Sequence, residues 1–179
     1  VSKSEIKNSP NIGGDATSNH FGDNYFSLVV KNKSIQVRTI TNLILLIGNT
    51  PRSLSREETD KDLEKKLRER FSEYKEQLET RYAELLIDYS NSYEEAKKNA
   101  GVSEVVVDKI ASYLMALSRR CLDEAKDNPV TAINLLLDHF RGELNKELAD
   151  RQEEYDDCAI EFFIYKELIK CNVFPNPVR

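Results

Sequence analysis

Two histidines, three cysteines and thirty-one carboxylates are the residues of this chain that could do chemistry. A metal centre needs several of them to converge at short spacing. His20 sits in the turn-rich run Asn19-His20-Phe21-Gly22-Asp23-Asn24, and His139 stands beside Phe140 with no second ligand at a helical step. Neither begins a motif of the HExxH kind. A nucleophile needs a Ser or Cys served by a base and an orienting acid. Cys121, Cys158 and Cys171 are dispersed, form no CxxC pair and fall on apolar helix faces, so they read as reduced, packed thiols. Gly13-Gly14 is not followed by Lys-Ser/Thr and lacks the strand-to-helix context of a phosphate loop. Glu153-Glu154 and Asp156-Asp157 belong to a generally acidic helix, where a solvated face explains them. These residues predict a non-enzymatic chain with no metal and no cofactor.

Four tyrosines, Tyr74, Tyr82, Tyr89 and Tyr93, have rings that could stack on nucleobases. Leucines lie between them at helical spacing, which is the pattern of a core or an interface with wet hydroxyls. The surrounding charge is acidic and repels phosphate, so this stretch is not expected to hold nucleic acid. Over the whole chain, 40% hydrophobic and 32% charged residues with a net charge of −5 suit a folded, soluble, helix-rich protein. The charge is uneven. Residues 1–56 hold seven Lys/Arg against three acids, and the acidic excess lies in the remainder. A basic first third on an acidic body is explained first by plain solvation of a loop-rich segment, with docking on that body or on an acidic partner as the alternative. The unpaired cysteines favour a reducing compartment, hence the cytoplasm. The start, Val-Ser-Lys-Ser-Glu, shows no apolar signal region, and the longest apolar run, Leu43 to Ile47, is far below the roughly 20 residues of a membrane span.

The elements that must position these residues change character along the chain. Asn8-Ser9-Pro10-Asn11-Ile12-Gly13-Gly14-Asp15 is dense in turn formers. Tyr25 to Val30 and Ser34 to Ile40 read as strands, with Lys31-Asn32-Lys33-Ser34 turning one onto the other. Thr41 to Ile47 fits a buried strand or a helix turn equally. A lone hairpin is marginal in water, so this segment needs the body, a second copy or a partner. Gly48-Asn49-Thr50-Pro51 ends it and Arg52 to Arg56 read as a linker.

From Thr59 apolar positions fall at Leu63, Leu67, Phe71, Tyr74, Leu78, Tyr82, Leu85, Tyr89, Tyr93 and Ala96. This repeat of eleven residues keeps one stripe on one face of a nearly straight helix. It predicts a helix from Thr59 to Asn99, roughly 60 Å long, with part of the stripe facing another chain. Gly101 is its expected terminator. Ser103 caps a second helix, Asn128-Pro129 starts a third, and Asp150 with Glu153 forms a capping box for a fourth that buries Tyr155, Cys158, Ala159, Phe162, Phe163 and Ile169. The expected fold is mainly α: a bundle of about four helices, the first one long, preceded by a small β-hairpin-like segment. The division falls between a strand-turn segment, residues 1–56, and a helical domain, residues 57–179.

Several stretches carry a family likeness. They are Tyr93 to Ser103, Asp108-Lys109-Ile110-Ala111-Ser112-Tyr113-Leu114, Tyr155 to Phe163, and Glu167 to Asn176. Together they resemble the helical C-terminal domains of ABC-three-component systems over about Glu84 to Asn176. The run Ile6 to Thr17 is similar to Asn-Ser-Pro/Gly-Gly-Asp segments of bacterial conflict proteins. The resemblance implies prokaryotic anti-phage or anti-plasmid defence, with an SMC- or ABC-like ATPase and a small middle component as protein partners. Family members carry such domains behind an effector such as a nuclease or protease, and no effector precedes the helices in this sequence, so the expectation is a stand-alone adaptor, a piece of a larger protein, or a relative with another role. The expected contact residues are Asn8, Ser9, Pro10, Asn11, Gly13, Gly14, Tyr74, Tyr82, Asn172, Phe174 and Pro175. The leading expectation is an interaction module that docks or homo-oligomerises through its helical body and N-terminal strands. The alternative is a nucleic-acid-binding regulator using residues 31–56 as a basic β-ribbon.

Overall fold

The computed structural model describes residues 17–50, 63–149, 154–170 and 172–174, with the backbone alone for residues 17–29 and 64. The chain divides into two compact units, residues 1–32 and 33–179. In the first, residues 17–32 are helical. The second holds the bundle. The boundary expected between residues 56 and 57 lies outside the described residues, but residues 33–50 group with the bundle.

The expected hairpin is replaced by helix. α1 (Thr17–Gly48) runs through both proposed strands and their turn, and no strand occurs among the described residues. Lys31-Asn32-Lys33-Ser34 contains neither Gly nor Pro, so nothing there stops a helix. Beyond it, Val37, Ile40, Leu43, Ile44 and Ile47 are buried, and their spacing marks one helical face. The β-branched threonines that favour a strand reading settle their hydroxyls inside the helix. Thr39 donates to the Ile35 carbonyl and Thr41 to the Val37 carbonyl, each at 2.8 Å.

The long second helix is also interrupted. α2 (Leu63–Lys65) passes into a π turn, Lys66–Arg70, then a bend at Phe71, a 3-10 turn, Ser72–Tyr74, and α3 (Lys75–Asn99). The cause is the carboxyl-terminal segment of the chain. Phe71 leaves helical geometry (φ −125°, ψ 33°) with its ring edge against Phe174, centroids 5.8 Å apart. The Lys66 ammonium, fully buried, donates to the carbonyls of Leu168 (3.3 Å) and Val173 (3.0 Å). Most of the stripe nonetheless remains buried within its own chain, from Leu67 and Phe71 to Leu78, Leu85, Tyr89, Tyr93 and Ala96. α3 alone spans about 37 Å.

The local signals that end α3 and start the next two helices hold. Gly101 takes φ +59°, and Gly101 and Val102 donate back to the Lys98 and Lys97 carbonyls, which closes α3 in a Schellman motif. Ser103 caps α4 (Glu104–Glu124) by accepting from the Val106 amide. Asn128 caps α5 (Pro129–Leu148), with Pro129 in the first turn. The fourth cap differs from expectation. α6 (Asp157–Ile169) is capped by Asp156, whose carboxylate accepts from the Ala159 amide, and Asp150 lies outside the described residues. Asp156 is held extended because its own amide donates to Thr39 of α1.

α6 is the axis of the bundle. Ala159, Ile160, Phe162, Phe163, Ile164, Tyr165 and Leu168 are all buried, so most of the helix circumference is covered, with Glu161 on the side left partly open. A helix with apolar residues on so many sides needs neighbours on most of them. α3 and α5 pack on α6, and α4 packs on α5. The carboxyl-terminal half of α1 is tied to the bundle by polar contacts: Gln36 accepts from Ser92, Arg38 donates to the Glu154 carbonyl, and Lys109 donates to the Gly48 carbonyl. No helix among the described residues is long and apolar enough to cross a membrane.

Candidate functional site

An open groove lies where the start of α3 passes α5 and α6, with a volume of about 570 Å³. Buried Ile133 and Tyr165 and half-buried Val130 provide its apolar floor. Glu73, Glu76, Gln77, Thr80, Arg81 and Glu84 form one wall. Glu76, Thr80 and Glu84, and Gln77 with Arg81, recur every four positions and so share one face of α3, with Glu73 on the 3-10 turn before it. Across the groove stands Glu161 of α6. It accepts two bonds from the Arg81 guanidinium, at 2.9 and 2.6 Å, and Glu84 accepts a third at 3.0 Å. These bonds, the one to Glu161 first, hold the Arg81 pKa above its ordinary value. Arg81 is thus a fixed cation that leaves the wall negative. Burial and the Glu161 charge push the Tyr165 phenol up to about 12, so it stays protonated.

A second polar cluster is closed. Glu167, buried on α6, accepts from the Tyr93 hydroxyl (2.9 Å), the Lys170 ammonium (2.6 Å) and the Asn172 amide (2.6 Å). Burial raises the Tyr93 pKa well above that of a free phenol, with Glu167 adding to the effect. A Tyr–Lys pair working as a base needs the opposite shift. Tyr93 is therefore a donor that organises packing. The adjoining cavity of about 30 Å³ has room for a single water.

Tyr113 and His139 meet at 2.8 Å between α4 and α5. Burial lowers the His139 pKa below 6.5. Because the folded state resists a proton that the unfolded chain accepts, His139 stabilises the fold fully above about pH 6.5. That contribution is lost as pH falls from there toward the folded value. We expect the urea midpoint of the natural chain to drop more between pH 7.5 and 5.5 than that of His139→Gln. Parallel curves would remove His139 from the pH response. Cys121 is buried with its thiol pKa raised by burial, opposite to a reactive thiolate. Cys158 is a free, half-buried thiol.

Asn8, Ser9, Pro10, Asn11, Gly13, Gly14 and Pro175 lie outside the described residues. Asn172 and Phe174 are buried: the first bonds Glu167, and the amide of the second donates to Ser118. They act inside the core. Tyr82 stacks on Phe162 with its hydroxyl accepting from Lys166, and Tyr74 is half-buried against the core. Tyr89 and Tyr93 bond Asp156 and Glu167, so their rings are engaged within the chain. Of the basic segment 31–56, residues 31–48 are helical, so a β-ribbon does not form there. Within it Lys33 pairs with Glu95.

The groove residues carry no sequence signal. Glu73, Glu76 and Glu84 look like any solvated helix face, and Arg81 and Glu161 are 80 positions apart. No group of His, Cys, Asp and Glu able to hold a metal ion occurs among the described residues. No family model, curated protein or solved structure matches the chain.

Proposed function

We propose that this chain is a non-enzymatic protein-interaction module that receives its partner in the groove between α3, α5 and α6. The groove carries the reading: it combines an apolar floor with a polar wall, the composition of a binding surface. The other polar clusters, at Glu167 and at Tyr113–His139, are closed upon themselves. An adaptor role in a bacterial multi-component defence system, beside an SMC- or ABC-like ATPase, follows from the family resemblance alone.

Site-specific photo-cross-linking in the native host tests the proposal. A cross-linking residue at Gln77, exposed in the groove, is expected to give a discrete protein adduct. The same group at Ala116, exposed on α4, is expected to give none. The adduct should disappear with Glu73→Lys/Glu76→Lys. Equal labelling from both positions, or none from Gln77, would remove the groove as the interaction surface.

A further inference from the structure

We infer that the occupant of the groove is a basic amphipathic helix of a partner protein. This rests on the groove being the interaction surface, and adds the chemistry of what it takes. The sign of the charge comes first. The lining has four carboxylates, Glu73, Glu76, Glu84 and Glu161, against one cation, Arg81. Arg81 is already held by Glu161 and Glu84. Glu73 and Glu76 form no ion pair among the described residues and face solvent. Such a wall repels phosphate and attracts ammonium or guanidinium. With Glu161 and Glu84 engaged by Arg81, Glu73 and Glu76 are the carboxylates left to meet a partner's cations.

Shape and polarity then separate a helix from a free cation. The wall from Glu73 to Glu84 extends about 16 Å, or three helical turns. Half-buried Val130 and the edges of buried Ile133 and Tyr165 give it an apolar strip that a fully solvated polyamine would not use. The apolar path continues beyond it. Ile87 is 82% exposed and stands seven positions after Thr80, on the same face of α3. The walls are helices with no sheet edge among the described residues, so a guest strand would find no backbone partner. An amphipathic helix laid into a helical groove places apolar side chains on the floor and basic ones at the carboxylates.

Calorimetry with the full chain decides the question. The probes are an amphipathic Leu/Arg peptide of about 15 residues, the same peptide with Glu for Arg, and spermidine. The Arg peptide is expected to bind and to weaken as salt rises from ~50 to ~500 mM. The Glu peptide should not bind, and spermidine should bind at least about tenfold more weakly. Glu73→Lys/Glu76→Lys should weaken the Arg peptide about tenfold, and Ile87→Asp several-fold. Both changes sit on exposed positions, and unchanged circular-dichroism melts confirm the fold. Equal binding of the Glu peptide or spermidine, or an unchanged affinity in the double variant, overturns the inference. If the Arg peptide fails while the Gln77 adduct persists, the chemistry assigned to the occupant falls alone. If both fail, the groove falls with it.

Discussion

Replacing Glu167 with alanine is expected to destabilise the bundle by about 3–5 kcal/mol. Glu167 is 2% exposed and accepts from three groups on two elements: Tyr93 of α3, and Lys170 and Asn172 beyond the end of α6. Two effects oppose each other. Removing a buried carboxylate relieves its desolvation, and Lys170, with a side chain 45% exposed, can turn back to water. Tyr93 and Asn172 cannot, since they are 3% and 7% exposed. Each is left as a buried donor without an acceptor, at about 1–3 kcal/mol apiece, before the missing methylenes are counted. The loss therefore wins. Asn172 also begins the segment that carries Val173 and Phe174 into the core, so the damage spreads to the contacts of Lys66 and Phe71. Lys170→Met, by contrast, takes a cation from the buried carboxylate but leaves Tyr93 and Asn172 bonded to it, so its cost should be smaller than that of Glu167→Ala. Urea unfolding of the two variants checks the ordering. A Glu167→Ala loss no larger than that of Lys170→Met would mean that Tyr93 and Asn172 find other acceptors.

The parts of this fold that are legible in the sequence are those set by local chemistry. Ser103, Asn128-Pro129 and Gly101 announce helix ends through their own side chains or backbone freedom, and the structure uses each of them. Asp156 does not announce itself among Glu153, Glu154 and Asp157, because its extended conformation depends on Thr39, 117 positions away. α1 misleads for a related reason. Its β-branched run from Ser34 to Ile40 alternates well enough for a strand, and burial against the bundle decides in favour of the helix. The repeat of eleven residues correctly gives the buried stripe of α3 but conceals the break at Phe71. That break answers Phe174 and the carbonyls that Lys66 reaches, and neither is near in sequence. The groove is least legible of all, since it exists only where α3 meets Val130, Ile133 and Tyr165.

The centrality of α6 makes Phe162→Ala the second large expected effect, about 3–5 kcal/mol. Phe162 is completely buried among three tyrosines of α3. It stacks on Tyr82 at 6.2 Å, tilts against Tyr89 at 6.0 Å and meets Tyr93 edge-on at 6.0 Å. Two of those rings are fixed at their far ends, Tyr89 by Asp156 and Tyr93 by Glu167, so they cannot collapse into the space without breaking hydrogen bonds. A cavity that cannot relax sets the cost, lost ring contacts included, toward the upper end of the range. Phe162→Leu fills most of the space and should cost about half as much. The pairing with Glu167→Ala is the sharper test, because both substitutions act through Tyr93. Once its hydroxyl has lost Glu167, Tyr93 is free to tip into the space left by Phe162. The double variant is then expected to lose at least about 1 kcal/mol less than the two single losses added together. Strict additivity in urea unfolding would mean that the aromatic wall and the Glu167 cluster are independent, and that Tyr93 does not couple α3 to the central helix.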